Sequence, residues 1–199
     1  MSKRLFDIIF SLIGLIICSP VFIILGIAIC MDSRGGIFFK QQRVGKHGKL
    51  FSILKFRSMK INSDQKGQLT VGSNDKRITK TGRFIRKYKL DELPQLINVL
   101  NGDMSIVGPR PEVPKYVSMY TDEQRKVLQV KPGITDYASI EYANENDLLA
   151  ASSDPEKTYI NEIMPDKLAL NKKYILEKKF TTDITIIAKT LISLFHQKS

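Results

Sequence analysis

Between Ile8 and Met31 the chain carries no charged residue. At about 1.5 Å per helical residue this run reaches roughly 35 Å, enough to cross a hydrocarbon core. Ser19-Pro20 interrupts it near the middle, where proline removes a backbone hydrogen bond and crowds the carbonyl four residues back, bending the helix. Two arrangements follow: a kinked spanning helix, or a re-entrant hairpin that returns to the side it entered. Basic residues flank both ends, Lys3 and Arg4 before and Arg34, Lys40 and Arg43 after. Such flanks prefer the cytoplasmic side, so the hairpin is the favoured reading. A cleaved signal peptide fits poorly, because the run is long, holds a central proline and lacks a clean small-residue cleavage site. Lys3 and Arg4 are placed to snorkel toward headgroups, and Asp7 is expected to pair with a nearby cation such as Arg4.

After the apolar run the period shortens. Residues 37–39, 41–45 and 51–57 read as short strands and turns in which apolar and polar residues alternate, with Lys46-His47-Gly48-Lys49 as a basic turn and His47 a solvated turn residue. Phe38, Phe39, Phe51 and Phe56 read as core alternation rather than an exposed stacking platform. Residues 62–75 are polar and glycine-bearing, either a lid or a plain connector. Leu93, Leu96, Ile97 and Leu100 recur at helical spacing, and Pro94 dates the start of that helix to Asp91 or Glu92. Thr121 and Gln124 form a capping-box pattern for a short helix toward Val130, which Lys131-Pro132-Gly133 breaks. Asp154-Pro155 and Met164-Pro165 open further helices, the second carrying Leu168, Leu170, Tyr174 and Ile175. The apolar tail, 184–195, is expected either in a headgroup plane or against the core.

A chain of 199 residues with 43% hydrophobic content has material for one compact domain plus an appendage. Its formal charge of +11 and pI near 9.6 call for an anionic partner: nucleic acid, a nucleotide or an acidic membrane surface. Cys18 and Cys30 both fall inside the apolar run and read as small hydrophobes, not as a disulfide or metal pair.

Asp91-Glu92 is the candidate chemistry. The pair follows Arg83, Arg86 and Lys87 at the expected mouth of a helix, where free N–H groups and the dipole attract phosphate and favour an ionised carboxylate. Such a carboxylate can attack phosphorus to give an aspartyl-phosphate; the bland alternative is an N-cap Asp followed by a dipole-favoured Glu. Pro109 and Pro111 fix the backbone around Arg110, which suits a guanidinium that must grip phosphate as a fork. The chain has no P-loop, no G-x-G-x-x-G, no H-E-x-x-H, no G-x-S-x-G, no C-x-x-C and no Asp-x-Asp. Nucleotide hydrolysis on a P-loop, zinc proteolysis and serine hydrolysis therefore lose their support.

These motifs, in order, resemble the bacterial sugar transferase family, the small monotopic phosphoglycosyl transferases. The likeness is carried by Lys3-Arg4-Leu5-Phe6-Asp7 with the Ser19-Pro20 break, 39–45 (Phe-Lys-Gln-Gln-Arg-Val-Gly), 54–59 (Leu-Lys-Phe-Arg-Ser-Met), 82–86 (Gly-Arg-Phe-Ile-Arg), 90–96 (Leu-Asp-Glu-Leu-Pro-Gln-Leu), 102–111 and 131–135. It departs where many members read Gly-Trp-Ala-Gln-Val and this chain has Asp136-Tyr137-Ala138-Ser139-Ile140, and where Gly35-Gly36 replaces Gly-Pro.

The resemblance implies an α+β, mostly helical fold: a re-entrant membrane segment over 1–33, a cytosolic catalytic domain over 34–199, and interfacial amphipathic helices. It implies residence at the cytoplasmic face of the bacterial inner membrane among its lipids, a UDP-sugar donor, a polyprenyl phosphate acceptor and release of UMP. Asp91 would be the nucleophile and Glu92 its dyad partner. Arg86 and Arg110 would hold phosphate, and Lys55, Arg57 and Arg43 would surround the substrate. Mg²⁺ is the implied cofactor, touching Asp91 and the diphosphate. The competing reading is a membrane-tethered basic module that binds acidic lipid or nucleic acid, with Asp91 and Glu92 serving only as a helix cap; no nucleic-acid partner is expected.

Overall fold

The charge-free run is helical from end to end. The computed structural model describes residues 3–61, 63, 69, 71–72 and 75–196, and its first element, α1, is Lys3–Asp32 with Pro20 inside it. Ser19 Oγ donates at 2.8 Å to the carbonyl of Ile16, the one four residues before Pro20 that has lost its backbone donor.

Both ends of α1 rest on the same folded body. At its start, Arg4 donates to the carbonyls of Val99 and Leu100 at 2.6 and 2.8 Å, and Lys3 Nζ meets Asp183 at 2.5 Å. At its end, Asp32 accepts the N–H of Thr81 at 2.7 Å, and Arg57 donates to the carbonyls of Ile29, Ser33 and Arg34. Asp7 does not pair with Arg4 as expected. It accepts from Ser105 Oγ and from the N–H of Ile106, both at 3.0 Å. The reason lies in the partners: Arg4 satisfies carbonyls left open at the end of a helix, and Asp7 satisfies the edge of a strand. Along its length α1 packs on one side, Phe22 against Phe56 with rings 4.9 Å apart. Gly26 permits close approach to Ile37, which would stand 3.3 Å from any Cβ there. The other side presents Ile13, Ile16, Ile17, Ile23, Ile24 and Ile27 outward.

Strands β1 (Phe38–Val44) and β2 (Leu50–Phe56) pair antiparallel, joined by a turn in which His47 adopts φ 57°. Phe56 is buried as expected, whereas Phe38 is 42% exposed and stacks on it from outside. Helix α2 (Lys80–Lys87) is capped by Thr79, which accepts the N–H of Gly82. Lys89 then turns left-handed at φ 54°, which closes Leu90–Glu92 into a separate 3-10 turn before α3 (Gln95–Asn101). The helix therefore starts later than the sequence implied. Pro94 stands at its cap, and Asp91 lies in the preceding turn rather than at a helix N-terminus.

Strand β3 (Ser105–Val107) pairs in parallel with β4 (Gly133–Thr135). Between them lie α4 (Pro114–Val117) and α5 (Asp122–Arg125), the latter with the full Thr121–Gln124 capping box. After β4 come α6 (Tyr137–Glu141), α7 (Glu145–Ala151) and α8 (Pro155–Thr158). A π-helical segment, Tyr159–Ile163, then runs into α9 (Met164–Glu177), and α10 (Phe180–His196) closes the chain. The fold is thus mostly helical with two small sheets. Helix α10 buries Ile186 and joins β4 through Thr190 and Thr135 at 2.6 Å, while Leu191 and Ile192 face outward, so the tail packs on the core along one side. Both cysteines are free. Most of the polar 62–75 stretch lies outside the described residues.

Candidate active site

The 3-10 turn holds Asp91 nearly inside the protein, 8% exposed. Its neighbour Glu92 is clamped. Arg110 Nη1 donates to Glu92 Oε2 at 3.0 Å and Arg110 Nη2 to Oε1, while Lys55 Nζ from β2 donates to Oε1 at 3.1 Å. The fork-on-carboxylate geometry and the second cation leave Glu92 no free oxygen of low cost. Burial works to raise its carboxyl, but the charges and hydrogen bonds of Arg110 and Lys55 outweigh it and hold it well below the usual carboxylate range.

Asp91 is shifted the other way. Burial pushes its carboxyl above the ordinary value, against the pull of Lys55 and Arg86 and with help from the adjacent Glu92 charge. This corrects the expectation of a carboxylate kept ionised by a helix dipole: no helix begins at Asp91, and desolvation dominates. Lys55 Nζ forms an ion pair with Asp91 Oδ2 at 4.0 Å, too long for a hydrogen bond, so among the described residues the Asp91 oxygens are held less tightly than those of Glu92.

Around this pair lies a cavity of about 1030 Å³, at the upper end of the range for small-molecule sites. Its lining includes the α1 positions Phe10, Gly14 and Cys18, Asp91 and Glu92, and a mixed polar and apolar set from α6, α7 and α9, among them Ser139, Glu145, Leu149, Lys167 and Leu168. The same body therefore brings carboxylates and cations together on one cavity that α1 also lines. A model of the bacterial sugar transferase family matches residues 1–197. The chain belongs to the bacterial sugar transferase family.

Among the relatives of this chain, the uncharacterized sugar transferase EpsL of Bacillus subtilis (strain 168) is 49% identical over 71% of this chain and 69% of its own length. The undecaprenyl-phosphate galactose phosphotransferase of Salmonella typhimurium is 44% identical over 73% of the chain and 33% of its own. The UDP-glucose:undecaprenyl-phosphate glucose-1-phosphate transferase of Escherichia coli (strain K12) is 36% identical over 99% of the chain and 41% of its own. The chain thus spans about two thirds of the first and well under half of the other two.

The remaining basic residues named from the sequence divide. Arg86 is half-buried at the cavity wall, with no carboxylate in ion-pair distance among the described residues. Arg57 borders the cavity, but its guanidinium is spent on the carbonyls that end α1, tying that helix to β2. Arg43 is likewise engaged, donating to the carbonyl of Pro111 and to Glu112, both at 3.2 Å, and to Gln41 at 2.7 Å. Three participants escaped the sequence reading. Glu112 links Arg43 to the Tyr159 hydroxyl. Asn171 lines the cavity from α9. Asp136, fully buried, caps α6 through Ser139 and also accepts the backbone N–H of Arg110.

Proposed function

We propose that this sugar transferase moves a sugar-1-phosphate from a UDP-sugar to undecaprenyl phosphate and releases UMP, starting the assembly of a membrane-linked glycan. The observation that carries the reading is a buried Asp91, ion-paired with Lys55 only at 4.0 Å, beside a Glu92 held ionised by Lys55 and Arg110, on a cavity that also touches α1. An Asp91 oxygen attacks the β-phosphorus of the donor; the bond from that phosphorus to the bridging oxygen breaks, and UMP leaves with the electron pair. An oxygen of the acceptor phosphate then attacks the phosphosugar, and the Asp91 carboxylate departs regenerated. Arg86 and the cationic face of Lys55 and Arg110 receive the phosphates, and burial excludes water that would hydrolyse the intermediate.

Mg²⁺ fits these residues in one form only. No group of three or more His, Cys, Asp or Glu side chains able to hold a metal occurs among the described residues. One carboxylate plus substrate oxygens is nevertheless a common Mg²⁺ arrangement, and Asp91 is the carboxylate available for it. When bound, the ion supplies neutralisation of the diphosphate charge.

The membrane part of the reading is supported by two features. Helix α1 has the length and hydropathy of a spanning helix with only 11% of its most apolar window buried. Yet Arg4 and Asp32, near its two ends, both bind the one body. A helix carrying its N-terminus across the bilayer would forfeit one set of those contacts, so 1–33 is read as a re-entrant segment and 34–199 as the catalytic domain on the cytoplasmic face, with α10 at the interface. The membrane-tethered binding role is disfavoured because Lys55, Arg43 and Arg110 turn inward onto carboxylates instead of forming an exposed basic strip. The direct test is formation of a lipid-linked product and UMP from UDP-sugars, undecaprenyl phosphate and Mg²⁺ with purified protein. Asp91→Asn is expected to abolish both while retaining fold and membrane binding; equal turnover by that variant overturns the assignment.

A further inference from the structure

The turn that carries Asp91 opens on a lysine in a conformation that lysine disfavours. Lys89 has φ 54° and ψ 22°, in the left-handed region where a Cβ crowds the following carbonyl and glycine or asparagine is the usual occupant. Its N–H donates to the carbonyl of Arg86 at 3.1 Å, and its own carbonyl accepts the N–H of Glu92 at 3.4 Å. Lys89 therefore joins the end of α2 directly to the carboxylate pair. Packing does not call for a lysine there, because the residue is exposed. The dipole of α2 does not call for one either, since Arg86 and Lys87 already stand in its last turn. Strained backbone gathers at functional sites, and here the unexplained part is the side chain's charge.

The cations around the cavity divide into bonded and free. Arg43, Lys55, Arg57, Arg77, Arg110 and Lys167 line it and already donate to protein carboxylates or carbonyls. Lys60, Arg86 and Lys89 line it too, and among the described residues their side chains bond to no protein group. Of these three, Arg86 and Lys89 belong to the segment that runs from α2 into the Asp91 turn, and the charge of each reaches the Asp91 carboxyl. An anion approaching that carboxyl meets repulsion from Asp91 and Glu92, so it needs cations whose charge is not already shared with a carboxylate. A lysine ammonium supplies a compact charge with three N–H donors on a flexible stem, which suits the oxygens of a single phosphate.

Resting on the reading above, we infer that Lys89 binds the β-phosphate of the nucleotide donor, the phosphate that Asp91 attacks, and holds it beside that carboxylate. UMP, which has no β-phosphate, does not engage Lys89.

Titration calorimetry of UDP and of UMP with the full chain in detergent, Mg²⁺ present throughout, tests this. Lys89→Ala and Lys89→Gly should each weaken UDP by about ten-fold, the worth of one hydrogen bond to a charged group, and leave UMP within about two-fold. Lys89→Gly should melt no lower than the parent, because glycine suits the left-handed backbone, so its weaker UDP binding is not a loss of fold. Lys89→Arg, which keeps the charge, should hold UDP within about three-fold. Parental UDP affinity in the alanine and glycine variants overturns the inference. Equal weakening of UDP and UMP overturns it too, by assigning Lys89 to the general field of the site, and so does a loss in Lys89→Ala that Lys89→Gly lacks, by assigning the effect to the backbone. A parent chain that binds UDP through Lys89 but makes no lipid-linked product contradicts the proposed reaction and leaves this contact standing; a parent that makes product while both variants keep parental UDP affinity removes the contact alone.

Discussion

Asp136 Oδ2 accepts the backbone N–H of Arg110 at 3.0 Å, while its other oxygen accepts the N–H of Ser139 at 2.6 Å. One fully buried carboxylate thus ties the arginine that clamps Glu92 to the first turn of α6. The contact is to backbone, so it sets where the Arg110 side chain starts rather than touching substrate. Asp136→Ala leaves two buried N–H groups unpaired, a cost of about 1–3 kcal/mol each. Turnover should fall by roughly ten-fold or more, with KM for undecaprenyl phosphate little changed. Asp136→Asn, which keeps one acceptor, should recover part of the loss. Steady-state kinetics with each substrate varied in turn checks this.

The Glu92 clamp gives a sharper expectation. Removing one member of a buried ion pair strands the other, at a cost of about 3–5 kcal/mol when burial is complete and less where, as here, the side chains keep some solvent contact. Glu92→Gln should therefore lower both the melting temperature and turnover. Arg110→Lys should not substitute, since an ammonium cannot make the two parallel bonds to Glu92. Thermal melts and UMP release measured on the same preparations decide it; an Arg110→Lys variant with parental turnover contradicts the fork as the functional element.

Topology is testable at Lys3. In a background with Cys18 and Cys30 replaced by alanine, Lys3→Cys should resist a membrane-impermeant maleimide applied from outside intact cells and react after permeabilisation. Both ends of α1 are held by one body. Labelling from outside would mean that α1 crosses the bilayer.

Much of this site was legible before any coordinates. The Asp91-Glu92 pair, the proline-braced Arg110 and the alternating strand that carries Lys55 all come together around one cavity. Local pattern singled out Asp91, Glu92 and Arg110, whereas Lys55 came only from the resemblance to the family. Two things were not legible. A left-handed Lys89 separates Asp91 from α3, and nothing in side-chain periodicity signals a backbone turning at a lysine. The contacts of Asp7, Arg57 and Asp136 are to backbone groups far away in the chain, and backbone partners leave no mark on residue type.

The buried tyrosines predict an alkaline limit. Burial raises the hydroxyl of Tyr116 to about 12 and those of Tyr120, Tyr159 and Tyr174 further, chiefly by desolvation. In the unfolded chain each ionises near pH 10. Below that pH both states keep the proton and the tyrosines favour neither. Above it the unfolded state alone releases protons, so stability falls as pH rises, by up to about 1.4 kcal/mol per unit and per tyrosine. For Tyr116 the window is pH 10 to 12. Denaturant melts from pH 8 to 11.5 should show a level midpoint that drops steeply past 10.

The covalent role of Asp91 is best examined by intact-mass analysis of enzyme quenched during turnover with its preferred UDP-sugar and no acceptor. A mass increase equal to one phosphosugar, located on Asp91 by peptide mapping and lost when undecaprenyl phosphate is added, is expected. Lipid-linked product formed at full rate with no such adduct at any quench time would mean direct transfer between the two substrates, and Asp91 would not be the nucleophile.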